Sequence, residues 1–139
     1  MSYSMRNEYM INALTSLLEK QETLKAPFYG TITKIGGKYQ NPPLYSYLGR
    51  TNTDLLIAVI NPYHTEKIEW STRIPLDIKQ AIIKKSLLPN QYVITLLFQE
   101  GNGCTIRIST KIIGGKLVDQ EENVLNFLNF LNRFTNKNI

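Results

Sequence analysis

Apolar positions along this chain change period twice. Between Asn7 and Lys20, Met10, Leu14, Leu17 and Leu18 recur at helical spacing, with Ile11 and Ala13 widening the stripe, so the pattern predicts an amphipathic helix. Ser4 or Asn7 is expected to cap it, because short polar side chains accept the first free amide groups of a helix. It should end near Gln21-Glu22-Thr23, ahead of Ala26-Pro27, since proline disfavours a helical residue before it. From Phe28 the period becomes two. Phe28, Gly30 and Ile32 alternate with Tyr29, Thr31 and Thr33, as a strand with one buried face requires.

Gly36-Gly37 should turn the chain, and residues 38–43 should form a loop, because the successive prolines Pro42 and Pro43 donate nothing to a ladder. Leu44 to Leu48 reads as a second strand. Leu55 to Ile60 is a third whose unbroken hydrophobicity suggests a central position. After a turn at Asn61-Pro62-Tyr63-His64 comes a half-exposed strand, Glu66 to Ser71, in which Ile68 and Trp70 alternate with polar residues and are expected to face the core. Leu76 to Lys85 fits a helix by period, but the β-branched pair Ile82-Ile83 favours a strand over Ala81 to Lys85. Tyr92 to Phe98 and Cys104 to Thr110 are the clearest strands, joined by Gly101-Asn102-Gly103, whose glycines supply the positive φ of a tight hairpin. Beyond Gly114-Gly115 the helical period returns: Asp119 with Glu122 forms a capping-box-like start, and Val124, Phe127, Leu128 and Leu131 make one apolar stripe.

These elements predict a mainly β (β+α) fold: a closed or nearly closed antiparallel barrel or sandwich of about seven strands, capped by the C-terminal helix, with an extra N-terminal helix. Residues 1–25 form the helical segment and 26–139 the barrel with its capping helix. Several strings in this order resemble the pleckstrin-homology (PH)-like domains of small bacterial proteins, akin to the GRAM and YokE-like groups. Leu48-Gly-Arg-Thr-Asn-Thr-Asp-Leu-Leu-Ile57 is similar to that family's strand entry, T-N-x-x-L-[IL], and Ile74-Pro-Leu-Asp-Ile78 to its I-P-L-x-x-I turn. Lys84-Lys85-Ser86-Leu87 and the Gly114-Gly115 hinge match in position, and the resemblance runs from Phe28 to Phe134. It implies a non-enzymatic binding or assembly module whose partner is a protein surface. It also implies an alternative, an anionic lipid headgroup gripped by a lysine late in the first strand and a loop cation, positions that Lys34 and Lys38 match. The arginine that lipid-binding relatives carry on the second strand has no counterpart in the uncharged Leu44 to Leu48.

Composition changes the picture little. The chain has 139 residues, 42% hydrophobic and 19% charged, which suits one globular domain with a real core. Its formal charge of +5 invites an anionic partner, and Tyr29, Tyr39, Tyr45 and Tyr47 near Lys34, Lys38 and Arg50 are the best aromatic and basic grouping for a nucleic acid. Lys34, Lys38, Tyr39 and Arg50 are therefore the candidate ligand-binding residues. No enzymatic activity is expected. His64 is the sole histidine and sits in a turn with only Glu66 nearby, and no serine occupies a glycine-flanked elbow. Cys104 is the sole cysteine, which excludes an internal disulfide and a cysteine-based zinc site, so neither metal nor cofactor is expected; it reads as a buried structural thiol. The longest apolar run, Leu55 to Ile60, is too short to cross a bilayer, and charges interrupt any signal-peptide pattern, so the expected compartment is cytoplasmic. Nothing in the pattern specifies an oligomeric state.

Overall fold

The computed structural model describes residues 6–112 and 117–135. The expected Ser4 cap and the Gly114-Gly115 hinge lie outside these residues. The elements run α1 (Asn7–Thr15), β1 (Lys25–Ile35), β2 (Lys38–Arg50), β3 (Asp54–Asn61), β4 (His64–Pro75), β5 (Ile78–Lys85), β6 (Gln91–Phe98), β7 (Cys104–Ser109) and α2 (Gln120–Leu131), followed by a 3-10 turn, Asn132–Phe134. All seven strands pair antiparallel in one sheet, in the order β4-β3-β2-β1-β7-β6-β5.

The sheet curls without closing. Its two outermost strands, β4 and β5, are consecutive in sequence yet do not pair. Leu76 donates its N–H to the Thr53 carbonyl (2.7 Å) and Asp77 accepts the Gln99 N–H (2.8 Å), so the two-residue link becomes a corner and not a hairpin. The inner face holds the main core, in which Phe28, Leu48, Ile57, Ile94 and Ile106 pack with Val124, Phe127 and Leu131 of α2. Phe127 stands 5.0 Å from Phe28, ring centre to ring centre, so the helix covers the mouth as its apolar stripe requires.

Outside the sheet lies a second core, where Met10, Ala13 and Leu14 of α1 cover Tyr47, Leu56, Ala58 and Ile60. This explains β3. It is next to the edge strand and not at the centre, and it is apolar throughout because α2 and the core cover one face while α1 covers the other. The helix itself stops at Thr15, short of the expected Lys20. Thr15 and Ser16 turn their hydroxyls back to the carbonyls of Ile11 (2.7 Å) and Ala13 (2.6 Å), side-chain bonding that competes with helix continuation. Neither helix start carries the expected side-chain cap. Arg6, not Asn7, precedes α1, and Asp119 precedes α2 without a side-chain bond to the helix.

Residues 38–43 are strand, not loop. Lys34 pairs with Tyr39 and Ile32 with Leu44, so the segment carrying Pro42 and Pro43 bulges opposite a single residue of β1. Pairing with β3 begins only at Ser46, which leaves the prolines without any ladder bond to supply. Gly36 and Gly37, at φ of 60° and 80°, make the two-residue turn. In the β6–β7 loop, Gly101 has φ of 84° as expected, whereas Gly103 serves a different need: a Cβ there would stand 1.8 Å from the Leu96 carbonyl oxygen.

Candidate functional site

Of the four candidate ligand residues, three share one end of the β1–β2 hairpin. Lys34 and Tyr39 are a cross-strand pair, with the ammonium 4.7 Å from the ring centre, and Lys38 follows the glycine turn. Arg50 ends β2 opposite Lys25, at the far end of the same hairpin. There its guanidinium lies 4.0 Å from the Phe130 ring centre, with Arg133 at 5.1 Å from that same ring. Burial and the neighbouring Arg133 charge both push its pKa down. The structure therefore does not bring Arg50 to Lys34, Lys38 and Tyr39.

The tyrosine platform fares differently. Tyr47 is fully buried under α1, its hydroxyl donating to the Thr65 carbonyl at 2.8 Å, and burial raises its pKa to about 12. Tyr29 and Tyr45 are partly buried against the same cluster. Only Tyr39 is open to stacking, at 80% exposure. The face assigned to a nucleic acid is the face that α1 occupies.

Cys104 is buried, and desolvation pushes its thiol up to about 12, which keeps it protonated and unreactive at neutral pH. His64 is exposed, with Nδ1 3.8 Å from the Glu66 carboxylate. Among the described residues, no three His, Cys, Asp or Glu side chains gather as metal ligands would.

The strand expected over Glu66 to Ser71 is present within β4, but the sequence pattern missed how open it is. Its outer edge has no strand partner among the described residues, and Glu66 to Ser71 are exposed one after another. Trp70 is 44% and Ile68 39% exposed, against the expectation that both face the core. A bulge explains this. Val59 pairs with Trp70 but its neighbour Ile60 pairs with Ile68, so Glu69 is extra and the two apolar residues fall on opposite faces of the edge. Beside the edge is a groove of about 410 Å³ lined by Pro42, Pro43, Tyr45, Pro62, Tyr63 and Glu69. It exists because the proline bulge of β2 stands next to the β3–β4 turn.

A partly buried charge cluster fastens the other half of β4. Arg73 makes two bonds to the Glu22 carboxylate, one of them 2.7 Å long, and one to Asp54 (3.0 Å), and it donates to the Leu17 carbonyl (3.1 Å). Its hydrogen bonds, with one from the Glu19 N–H, hold Glu22 down at about 2. The segment after α1 is thereby clamped to the sheet.

This architecture, a curled seven-stranded antiparallel sheet with a helix over one mouth and another on its outer face, is found in solved structures. The chain is similar to the hSac2 domain from the human phosphoinositide phosphatase Sac2, with a TM-score of 0.55 and 12% identity, over 91% of this chain and 78% of that one. It is also similar to the C-terminal domain of an unknown protein from Leishmania infantum, with a TM-score of 0.52 and 14% identity, over 85% of this chain and 90% of that one. At these identities the likeness is one of fold. No family model matches the sequence, and neither does any curated protein. No helix among the described residues is long and apolar enough to cross a membrane.

Proposed function

We propose that the chain is a non-enzymatic, PH-like binding or assembly module that recognises a protein surface. The observation that carries this reading is the outer edge of β4 over Glu66 to Ser71, exposed and without a strand partner among the described residues, with Trp70 on one face, Ile68 on the other and an apolar groove alongside. An extended segment of a partner adds to such an edge through main-chain hydrogen bonds, and neighbouring side-chain sites select its sequence. Large aromatic residues are the usual anchors of protein interfaces, and Trp70 is the sole tryptophan. The alternative, an anionic headgroup or nucleic acid held by the Lys34, Lys38 and Arg50 region, has less support, since Arg50 lies at the other end of the hairpin.

Affinity capture from the native cell with the wild-type chain and with Trp70→Ala tests the reading. A partner that survives high salt on the wild type and is lost from the variant supports it. Equal capture by both overturns the β4 assignment, while a partner released steeply by salt favours the anionic alternative.

A further inference from the structure

We propose that the β5–β6 hairpin tip is a docking device for an anionic lipid surface, in which Leu87 and Leu88 enter the headgroup boundary and the lysines behind them meet its charge. Leu87 is fully exposed and Leu88 is 61% exposed, the most open pair of adjacent large apolar residues among those described. They are not exposed because the segment lacks structure. Ser86 donates its N–H to the Gln91 carbonyl (2.9 Å), the Ser86 hydroxyl accepts the Leu88 N–H (3.3 Å), and the Asn90 carbonyl accepts the Thr110 N–H (2.8 Å). Asn90 takes the left-handed conformation, φ of 62°, that this residue type tolerates. The tip is thus built and tied to the end of β7, with both leucines presented outward.

Charge selects the occupant. Residues 78–99 contain Lys79, Lys84 and Lys85 and no acid. Lys84 is in register with Val93 and Val93 with Arg107, which places two cations on one outer row, and exposed Lys111 directly follows the tethered Thr110. Glu100 lies beyond the opposite end of β6. A second copy docking tip to tip would set lysines against lysines. A bilayer carrying anionic lipid offers both an apolar layer that yields to a convex tip and a negative surface that receives the cations. This surface is separate from the β4 edge, which such docking leaves free, and it uses none of Lys34, Lys38 or Arg50.

The test is co-sedimentation of the full chain with vesicles of phosphatidylcholine alone and of phosphatidylcholine mixed with phosphatidylserine. The chain should pellet with the serine-lipid vesicles and be released by salt. Each lysine contributes about fivefold to partitioning onto such a surface, so Lys84→Gln/Lys85→Gln should lose on the order of 25-fold. Leu87→Asp/Leu88→Asp should lose more than about tenfold. Both variants should keep the wild-type thermal midpoint, because the altered side chains lie outside the core. The proposal is overturned if the wild type does not pellet at low salt, if the leucine variant pellets like the wild type, or if soluble glycerophosphoserine displaces the chain, which would make the ligand a headgroup in solution. A self-associated wild type that the leucine variant renders monomeric would also overturn it.

Discussion

Two residues show how local chemistry constrains this fold. Gly103 does not take a positive φ, but the Leu96 carbonyl occupies the place of a Cβ. Gly103→Ala must push β6 and β7 apart where Leu96 pairs with Cys104, and the expected cost is about 3 kcal/mol, the upper part of the overpacking range, read by denaturant titration. A pattern of turn glycines reveals Gly36, Gly37 and Gly101 but not this one, because a close approach between strands leaves no mark on sequence periodicity. Glu22 makes stability depend on pH in the acid range. Its carboxylate falls from an ordinary 4.5 to about 2 in the folded chain, chiefly through its bonds to Arg73. A depressed acid contributes stability that is complete above its unfolded pKa and is lost as pH falls through the folded value. The clamp on the segment after α1 should therefore weaken between about pH 4.5 and pH 2. Glu22→Gln should be less stable than the wild type at neutral pH and match it near pH 2, as thermal unfolding across that range would show.

At the scale of elements, the least expected feature is how α2 is joined to the sheet. β1 and β7 pair only from Thr31 opposite Arg107 to Ile35 opposite Cys104. Where they part, the buried Gln120 side chain fills the opening: its amide donates to the carbonyls of Tyr29 (3.0 Å) and Ser109 (2.9 Å), and its oxygen accepts the Tyr29 N–H (2.9 Å). Asn123 adds a bond to the Pro27 carbonyl at 2.8 Å. Gln120→Leu strands these backbone groups and should cost about 2 to 4 kcal/mol. Gln120→Glu is a sharper probe, because a carboxylate cannot donate to either carbonyl; its deficit relative to the wild type should narrow toward acid pH as the group takes up a proton. Phe127→Ala, which empties the mouth of the sheet, should cost about 3 to 5 kcal/mol. The apolar stripe of α2 was legible from spacing alone, and the capping-box reading placed its start at the right residue. Nothing in the period, however, distinguishes a glutamine that faces solvent from one that bridges two strands.

For the molecule as a whole, the order of elements was legible because each strand carries its own alternation and each turn its own glycine, proline or asparagine. That the sheet stays open was not, since it depends on a corner at Leu76-Asp77 that looks like any short link. The same holds for the candidate surfaces. Ile68 and Trp70 share a face by counting, and only the bulge at Glu69 separates them. Leu87 and Leu88 sit between Lys85-Ser86 and Pro89-Asn90, and apolar residues inside a turn signature were the available clue. The outer face of the sheet depends on α1, which shields Tyr47, Leu56, Ala58 and Ile60. A chain beginning at Lys25 should expose them and scatter light as aggregates, whereas a soluble monomer would show that α1 is dispensable. The Gln120 bridge has one more effect, on timing. β1 to β4 are neighbours in sequence and can pair as they are synthesised, but β1 must hold its other edge open until β7 arrives, and the seam above Thr31 stays unsealed until residue 120 follows. A chain stalled before that point keeps half its sheet and a raw edge on β1, so the sheet becomes safe from mispairing only once β7 and residue 120 have both been made.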